Sequence, residues 1–230
     1  MQAQTTTETQ LDPPIQGQLA YLAAEDIRVA ASLLYQSYKD DPVFREIFKA
    51  GKEGYEKRLR AAIREELNVF WQSGQAMFGM YNGDTLEGVV CMTQPDQAFG
   101  PGRYWHWRLK MLLTAGYVST RQMVEKEQQI CASVPYKSYL LLAFIAVHPR
   151  YQHKGLGHLL ISASQALLAD KPDAEGVVAL ATRPEYESFL AHQGFTPVNV
   201  IKVGPIEGQL MALARTNNDS AAELASGASN

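Results

Sequence analysis

Two spacings of apolar residues alternate along the chain. In "GQLAYLAAEDIRVAASLLYQSY", residues 17–38, a short run is followed by Ile27, Ala30, Ala31, Leu34 and Tyr38 at helical intervals, with Glu25 and Asp26 at the start. The pattern predicts a strand and then a helix. A second helix is expected after Asp41-Pro42, because proline suits a first helical turn. Residues 53–72 place Leu59, Ile63, Leu67 and Phe70 on one face of a long helix, and its many charges read as the solvated face. "AMFGMYNGDTLEGVVCMTQ", residues 76–94, predicts two strands joined at Asn82-Gly83, a dipeptide that tolerates positive φ.

Residues 95–135 break this rhythm. A Gly/Pro and aromatic-rich connection, "FGPGRYWHW", leads into helices carrying Leu109, Leu112, Leu113 and Met123, and the segment reads as a helical insertion. The order beyond it is clearer. A strand at 139–147 is followed by a glycine-bearing joint and a helix at 156–168 with a stripe of Leu156, Leu160, Ala163 and Leu167. Then come a strand at 177–181, a helix at about 185–192, and two strands in "FTPVNVIKV" and "GQLMALA". Strand, crossover helix and strand imply a parallel pair, whereas the earlier hairpin implies antiparallel ones. The sum is an α/β domain with a mixed sheet, expected over 18–215 between flexible tails at 1–17 and 216–230.

Composition narrows the function. With 230 residues, 46% of them hydrophobic, the chain can bury a substantial core as one domain. A formal charge of −3 from interspersed acids and bases, with no basic block, argues against a nucleic-acid partner. The longest apolar run, 139–147, falls well short of the ~18 residues that suggest a membrane span. "MQAQTTTETQ" has neither a basic segment nor an apolar one, so a cytoplasmic location is expected. Cys91 and Cys131 have no metal-ligand spacing and are expected to be small buried hydrophobes.

The joint "HPRYQHKGLGHLL", 148–160, carries the chemistry. It opens a helix, where the first N–H groups lack intrahelical partners and the dipole favours an anion. Gly155 and Gly157 remove Cβ atoms where a bulky anion would approach the main chain, although two glycines can equally serve only a tight turn. A Walker loop does not fit, since Lys154 precedes the glycine pair and no Ser or Thr follows. A dinucleotide fingerprint does not fit either, since Leu160 stands where a third glycine belongs.

"Q-x-x-G-x-G" after "V-H-P" resembles the pyrophosphate-binding motif of the GCN5-related N-acetyltransferase (GNAT) family, with Gln152, Gly155 and Gly157 on its key positions. "ATRPEYESFLAHQGF" resembles the family's second signature through Thr182, Gly194 and Phe195. The likeness is tight over 138–195 and looser over 18–213, where the helical insertion before the fourth strand resembles the puromycin acetyltransferase-like branch.

This resemblance implies a mixed, mostly antiparallel sheet of six to seven strands flanked by helices. It also implies acetyl-CoA, or a related acyl-CoA, with its pyrophosphate on the main chain of Gln152, His153, Lys154, Gly155, Leu156, Gly157 and His158, and with Thr182 nearby. The pantetheine arm would run beside Ile145, Ala146 and Val147, and an N–H near Ile145 or Val147 would polarise the thioester carbonyl. The acceptor implied is the amine of a small molecule, bound by a monomer or homodimer, with Phe99, Tyr104, Trp105, His106 and Trp107 either lining its pocket or anchoring the insertion.

Two customary pieces are missing. "YLLLAFIAV" contains no acid where many relatives carry a glutamate base, and Leu190 stands where many carry a tyrosine acid. Three readings follow. Glu125 or Glu127 of the insertion serves as base, with Tyr186 as a candidate acid; the substrate amine needs no strong base; or the domain binds acyl-CoA without turnover, as a sensor or scaffold. A protein or peptide substrate would instead call for an open cleft.

Overall fold

The computed structural model describes residues 17–95, 109, 111–113 and 115–215. The expected tails and the aromatic residues Phe99, Tyr104, Trp105, His106 and Trp107 lie outside these.

Seven strands form one sheet: β1 (Gln18–Tyr21), β2 (Ala76–Asn82), β3 (Thr85–Thr93), β4 (Leu140–Val147), β5 (Gly176–Ala181), β6 (Thr196–Val203) and β7 (Ile206–Ala214), in the order β1-β2-β3-β4-β5-β7-β6. Only β4 and β5 pair in parallel. The sheet is therefore mixed and mostly antiparallel, as expected. The β2–β3 turn is centred on Gly83 and Asp84, one residue later than Asn82-Gly83, and Gly83 supplies the positive φ of 57°.

Helices cover both faces. On one lie α1 (Ile27–Tyr38), α2 (Pro42–Ile47) and α3 (Tyr55–Gln72), whose Leu34, Ile47, Leu59, Ile63 and Leu67 meet Val89, Cys91 and Phe144 of the sheet. On the same face α4 (Tyr117–Ser133) inserts Met123 beside that core and Ile130 against Ile201 and Leu210. On the other face, α5 (Leu156–Ala169) buries Leu156, Leu160 and Leu167, and α6 (Pro184–His192) buries Leu190, against Val90, Leu142, Val177 and Met211.

Two expectations change here, for Cys131 and for the charges of α3, and the insertion gains a detail. Leu109, Leu112 and Leu113 are exposed, and Met111 is the residue turned inward. Cys91 is buried but Cys131 is exposed, because it follows Ile130, whose side of α4 faces the sheet. The charges of α3 do not all form a solvated face. Glu66 lies three residues after Ile63 and four before Phe70, inside the apolar stripe, and is 8% exposed.

The sheet also opens at one point. Leu140, Leu141 and Leu142 pair with Val177, Val178 and Ala179, and there the β4–β5 pairing ends. On the other side of β4 the register with β3 shifts, from Met92 opposite Leu142 to Cys91 opposite Phe144, leaving Ala143 as an extra residue. Such a bulge bends its strand and changes which face the following side chains take. Accordingly Leu140 and Leu142 pack with the α5 side, whereas Phe144 and Ala146 pack with the α1 side. The last five residues of β4, Ala143 to Val147, thus leave β5, and a gap opens between the two strands.

Candidate functional site

A cavity of about 260 Å³ fills this gap and extends beneath α3 and α4. Its β4 wall runs from Leu141 to Val147 and its β5 wall includes Ala179 and Leu180, with Thr182 just past the strand; Gln152 stands at one end with Tyr186, Phe189 and Leu190 of α6. Toward α3 and α4 it is lined by Phe44, Glu66, Phe70, Met123, Lys126, Glu127 and Ile130.

Main-chain polarity along the β4 wall follows from alternation. His148 donates its N–H to Glu87 of β3, so residues two and four before it in the same phase face β3, while Ile145 and Val147 face the gap. Both faces are marked by hydrogen bonds. The Val147 carbonyl accepts from the Gln152 side-chain amide at 3.1 Å. The Ile145 N–H donates to the Tyr38 hydroxyl at 3.1 Å, and that hydroxyl donates to the Ile145 carbonyl, also at 3.1 Å. The Ile145 N–H, expected to serve a thioester carbonyl directly, is therefore engaged by a side chain from α1. Ala146 points its side chain into the core.

The glycine joint is built as a tight entry to α5. A short turn at Pro149–Tyr151 is capped by His148, whose Nδ1 accepts from the Arg150 N–H at 3.3 Å. His153 (φ 62°) and Gly155 (φ 81°) both take left-handed conformations, and Gly155 is the residue before the first helical one. Gln152, His153, Lys154 and His158 are exposed around this entry, whereas the Leu156 side chain is buried, leaving only its main chain to meet a ligand. Lys154 sits 5.8 Å over the Tyr151 ring, and His158 Nδ1 lies 2.6 Å from the Gln193 amide. Gly157 also faces α6. A Cβ there would lie 3.2 Å from Cζ of Phe189, so the missing side chain makes room for α6.

Thr182 lines the cavity at the end of β5, and its hydroxyl donates to Asp41. Asp41 is 2% exposed and caps α2, its Oδ1 accepting from the N–H groups of Val43 at 2.9 Å and Phe44 at 3.0 Å. This buried junction ties the α1–α2 corner to β5. The Asp-Pro pair revealed a helix start in the sequence, but nothing there indicated that the carboxylate also holds Thr182.

The carboxylates separate clearly. Glu127 lines the cavity and pairs with Lys126 at 3.6 Å. Glu125 does not line it; Arg121 holds it at 2.7 Å in an i,i+4 pair on the exposed side of α4. Sequence reasoning missed Glu66, which lines the cavity from α3; its place within the stripe from Leu59 to Phe70 was the available signal. Tyr186 also lines the cavity. Partial burial pushes its phenol above the ordinary value, with Arg183, 6.0 Å over the ring, pulling the other way. Leu190 is buried in the core beneath α6, where a phenol would need a polar partner.

This architecture has solved counterparts. An acetyltransferase from Corynebacterium glutamicum, described as histone acetyltransferase HPA2 and related acetyltransferase, superposes with a TM-score of 0.64 at 15% identity, over 88% of this chain and 98% of that one. The fold is that of the GCN5-related N-acetyltransferases. Two further GNAT-fold structures are PaiA N-acetyltransferase of Thermoplasma acidophilum in complex with coenzyme A and a Drosophila melanogaster polyamine N-acetyltransferase that forms N-acetylagmatine. The first gives a TM-score of 0.54 at 16% identity, over 87% of this chain and 99% of that one. The second gives 0.57 at 15%, over 87% and 100%. At such identities the likeness is one of fold. No family model matches the chain, and no curated protein matches it.

Proposed function

We propose that the protein transfers an acetyl group from acetyl-CoA, or a related acyl-CoA, to the amine of a small molecule. The observation that carries this reading is the end of β4–β5 pairing at Leu142 and Ala179, which opens a cavity with the α5 entry at one end and two carboxylates beyond. The donor set suits such a cofactor. The Val147 N–H faces the gap, Ile145 faces it with its N–H engaged by Tyr38, and the first N–H groups of α5, behind Gly155, suit a pyrophosphate. Gln152 keeps the joint against β4 through Val147, so the anion site and the strand are positioned together.

Acetyl-CoA supplies the acyl group as an activated thioester. The chain must then accept the proton that the amine loses. Glu66 and Glu127 both line the half of the cavity away from α5, and either serves as that acceptor, directly or through water. A thiolate with a free-thiol pKa near about 8.5 leaves with little assistance, so Leu190 in place of an acid is no obstacle. The lining of Phe44, Phe70, Met123 and Ile130 favours an amine on an apolar body. The α4 helix ahead of β4 is the feature that supports placement near the puromycin acetyltransferase-like branch. A cytoplasmic location remains part of this reading.

Calorimetric titration with acetyl-CoA, followed by thiol release across a panel of small amines, tests it. Micromolar binding with turnover is expected. Binding without turnover on any amine would favour the sensor or scaffold reading, and absence of binding would remove both.

A further inference from the structure

The Tyr38 hydroxyl occupies an unusual place. It lies in the gap where β4 has left β5, and it fills the vacancy on the strand by accepting from the Ile145 N–H and donating to the Ile145 carbonyl, each at 3.1 Å. The ring is clamped edge-on by Phe44 and Phe144, at centroid separations of 5.3 and 5.5 Å. Both rings also line the cavity, as Tyr38 does. With the ring held and the oxygen tethered to an amide, the phenol retains one freedom, rotation of its O–H about the C–O bond.

That freedom matters for the reaction proposed above, on which the following rests. We infer that Tyr38, tethered by the Ile145 amide, is the hydrogen-bond donor to the thioester oxygen during acyl transfer. The Ile145 N–H then acts through the phenol, because donating into its oxygen strengthens the outgoing O–H as a donor. As the amine nitrogen bonds to the carbonyl carbon, the C=O π pair moves onto oxygen, where the Tyr38 O–H meets it. When that pair returns, the C–S bonding pair leaves on sulfur, and the amine's surplus proton passes to Glu66 or Glu127.

Tyr38 keeps its own proton throughout. Burial pushes its phenol well above the ordinary value, although the bond to the Ile145 backbone pulls the other way. Delivering that proton to a thiolate of pKa about 8.5 would be strongly uphill, whereas donating a hydrogen bond costs no transfer. The structure thus separates charge stabilisation from proton transfer, and neither requires an acid at Leu190.

Tyr38→Phe preserves the ring contacts and removes the donor. Three quantities decide the matter: affinity for acetyl-CoA by titration, the stretching frequency of the 13C-labelled carbonyl in bound acetyl-CoA, and kcat. Wild type is expected to lower the carbonyl frequency relative to free acetyl-CoA. Tyr38→Phe is expected to lose most of that shift and roughly 10²-fold in kcat, with the dissociation constant within about twofold. Tighter binding with an unchanged frequency would mean that the hydroxyl merely plugs the strand, overturning the inference while leaving acyl-CoA binding intact. Should the variant fail to fold, an unshifted carbonyl on the wild-type protein overturns it equally. Wild-type protein that binds no acetyl-CoA overturns the transferase reading and this inference together.

Discussion

Gly157 faces Phe189 across the contact between α5 and α6, and a Cβ on Gly157 would come within 3.2 Å of the ring. The second glycine of the joint therefore serves the packing of α5 on α6. Gly157→Ala sets a helix-propensity gain of up to about 1 kcal/mol against displacement of the ring, which must yield a few tenths of an ångström, and a net loss is expected where the ring holds its place. Phe189→Leu added to Gly157→Ala should recover that loss in a denaturant titration. If acetyl-CoA affinity recovers with it, the glycine acts through packing; if affinity stays low, the Cβ obstructs the ligand itself.

Gly155 differs from its neighbour. Its φ of 81° is strained for any residue with a side chain, so Gly155→Ala should cost roughly 1–2 kcal/mol. No change at Phe189 is expected to rescue it. A Gly155→Ala protein as stable as wild type in the same titration would show that the turn relaxes freely.

The three candidate carboxylates predict three outcomes. Glu125, paired with Arg121 outside the cavity, should tolerate Glu125→Gln with kcat/KM within about twofold of wild type. Glu66→Gln and Glu127→Gln should divide the catalytic loss, with the residue that accepts the amine proton losing roughly 10²-fold or more. The kcat/KM pH profile of each variant identifies the acceptor, since only its replacement removes the acidic limb. Equal, undiminished activity in both would favour an amine that needs no protein base.

Asp41 joins α2 to β5 through Thr182, and both of its oxygens are engaged in a buried setting. Asp41→Ala should cost about 2 kcal/mol, at the upper end for a lost helix cap, and Thr182→Ala less, because the cap survives. Their effects should not add in a double-mutant cycle, since removing either partner abolishes the same bond. Strict additivity would show that the Thr182 bond contributes nothing in solution.

Glu46 sets a pH dependence. Lys49 at 2.6 Å, and then Gln122 at 3.2 Å, hold its carboxyl below the ordinary value. Because the folded state binds this proton less tightly than the unfolded chain, the stabilisation is full above the ordinary glutamate value of about 4.3 and fades as pH falls through the lower folded value. Wild type should exceed Glu46→Gln by about 1 kcal/mol at pH 7, and the difference should vanish in acid. A difference that persists unchanged below pH 3 would assign it to packing.

The periodicities of the chain determined most of its elements. Residues 139–147 became β4 at Leu140–Val147, and the stripe from Leu156 to Leu167 became the buried side of α5, because hydrophobic spacing within one element reports its local geometry directly. The joint was legible for the same reason: Gln152, Gly155 and Gly157 are neighbours in sequence and remain neighbours in space. What the sequence left open were relations between distant segments. The Tyr38 hydroxyl reaches Ile145 107 positions later, and Asp41 meets Thr182 141 positions later. Glu66 enters the cavity because α3 lies over the opened end of the sheet, and Glu125 misses it through its place on the exposed side of α4. The gap itself arises where β4 gains one residue against β3 while its pairing with β5 stops, an event of strand register that no single strand encodes. Local spacing thus specified the elements and the glycine turn that opens α5, whereas tertiary packing decided which side chains share the cavity, because those contacts exist only once the sheet has closed on its helices.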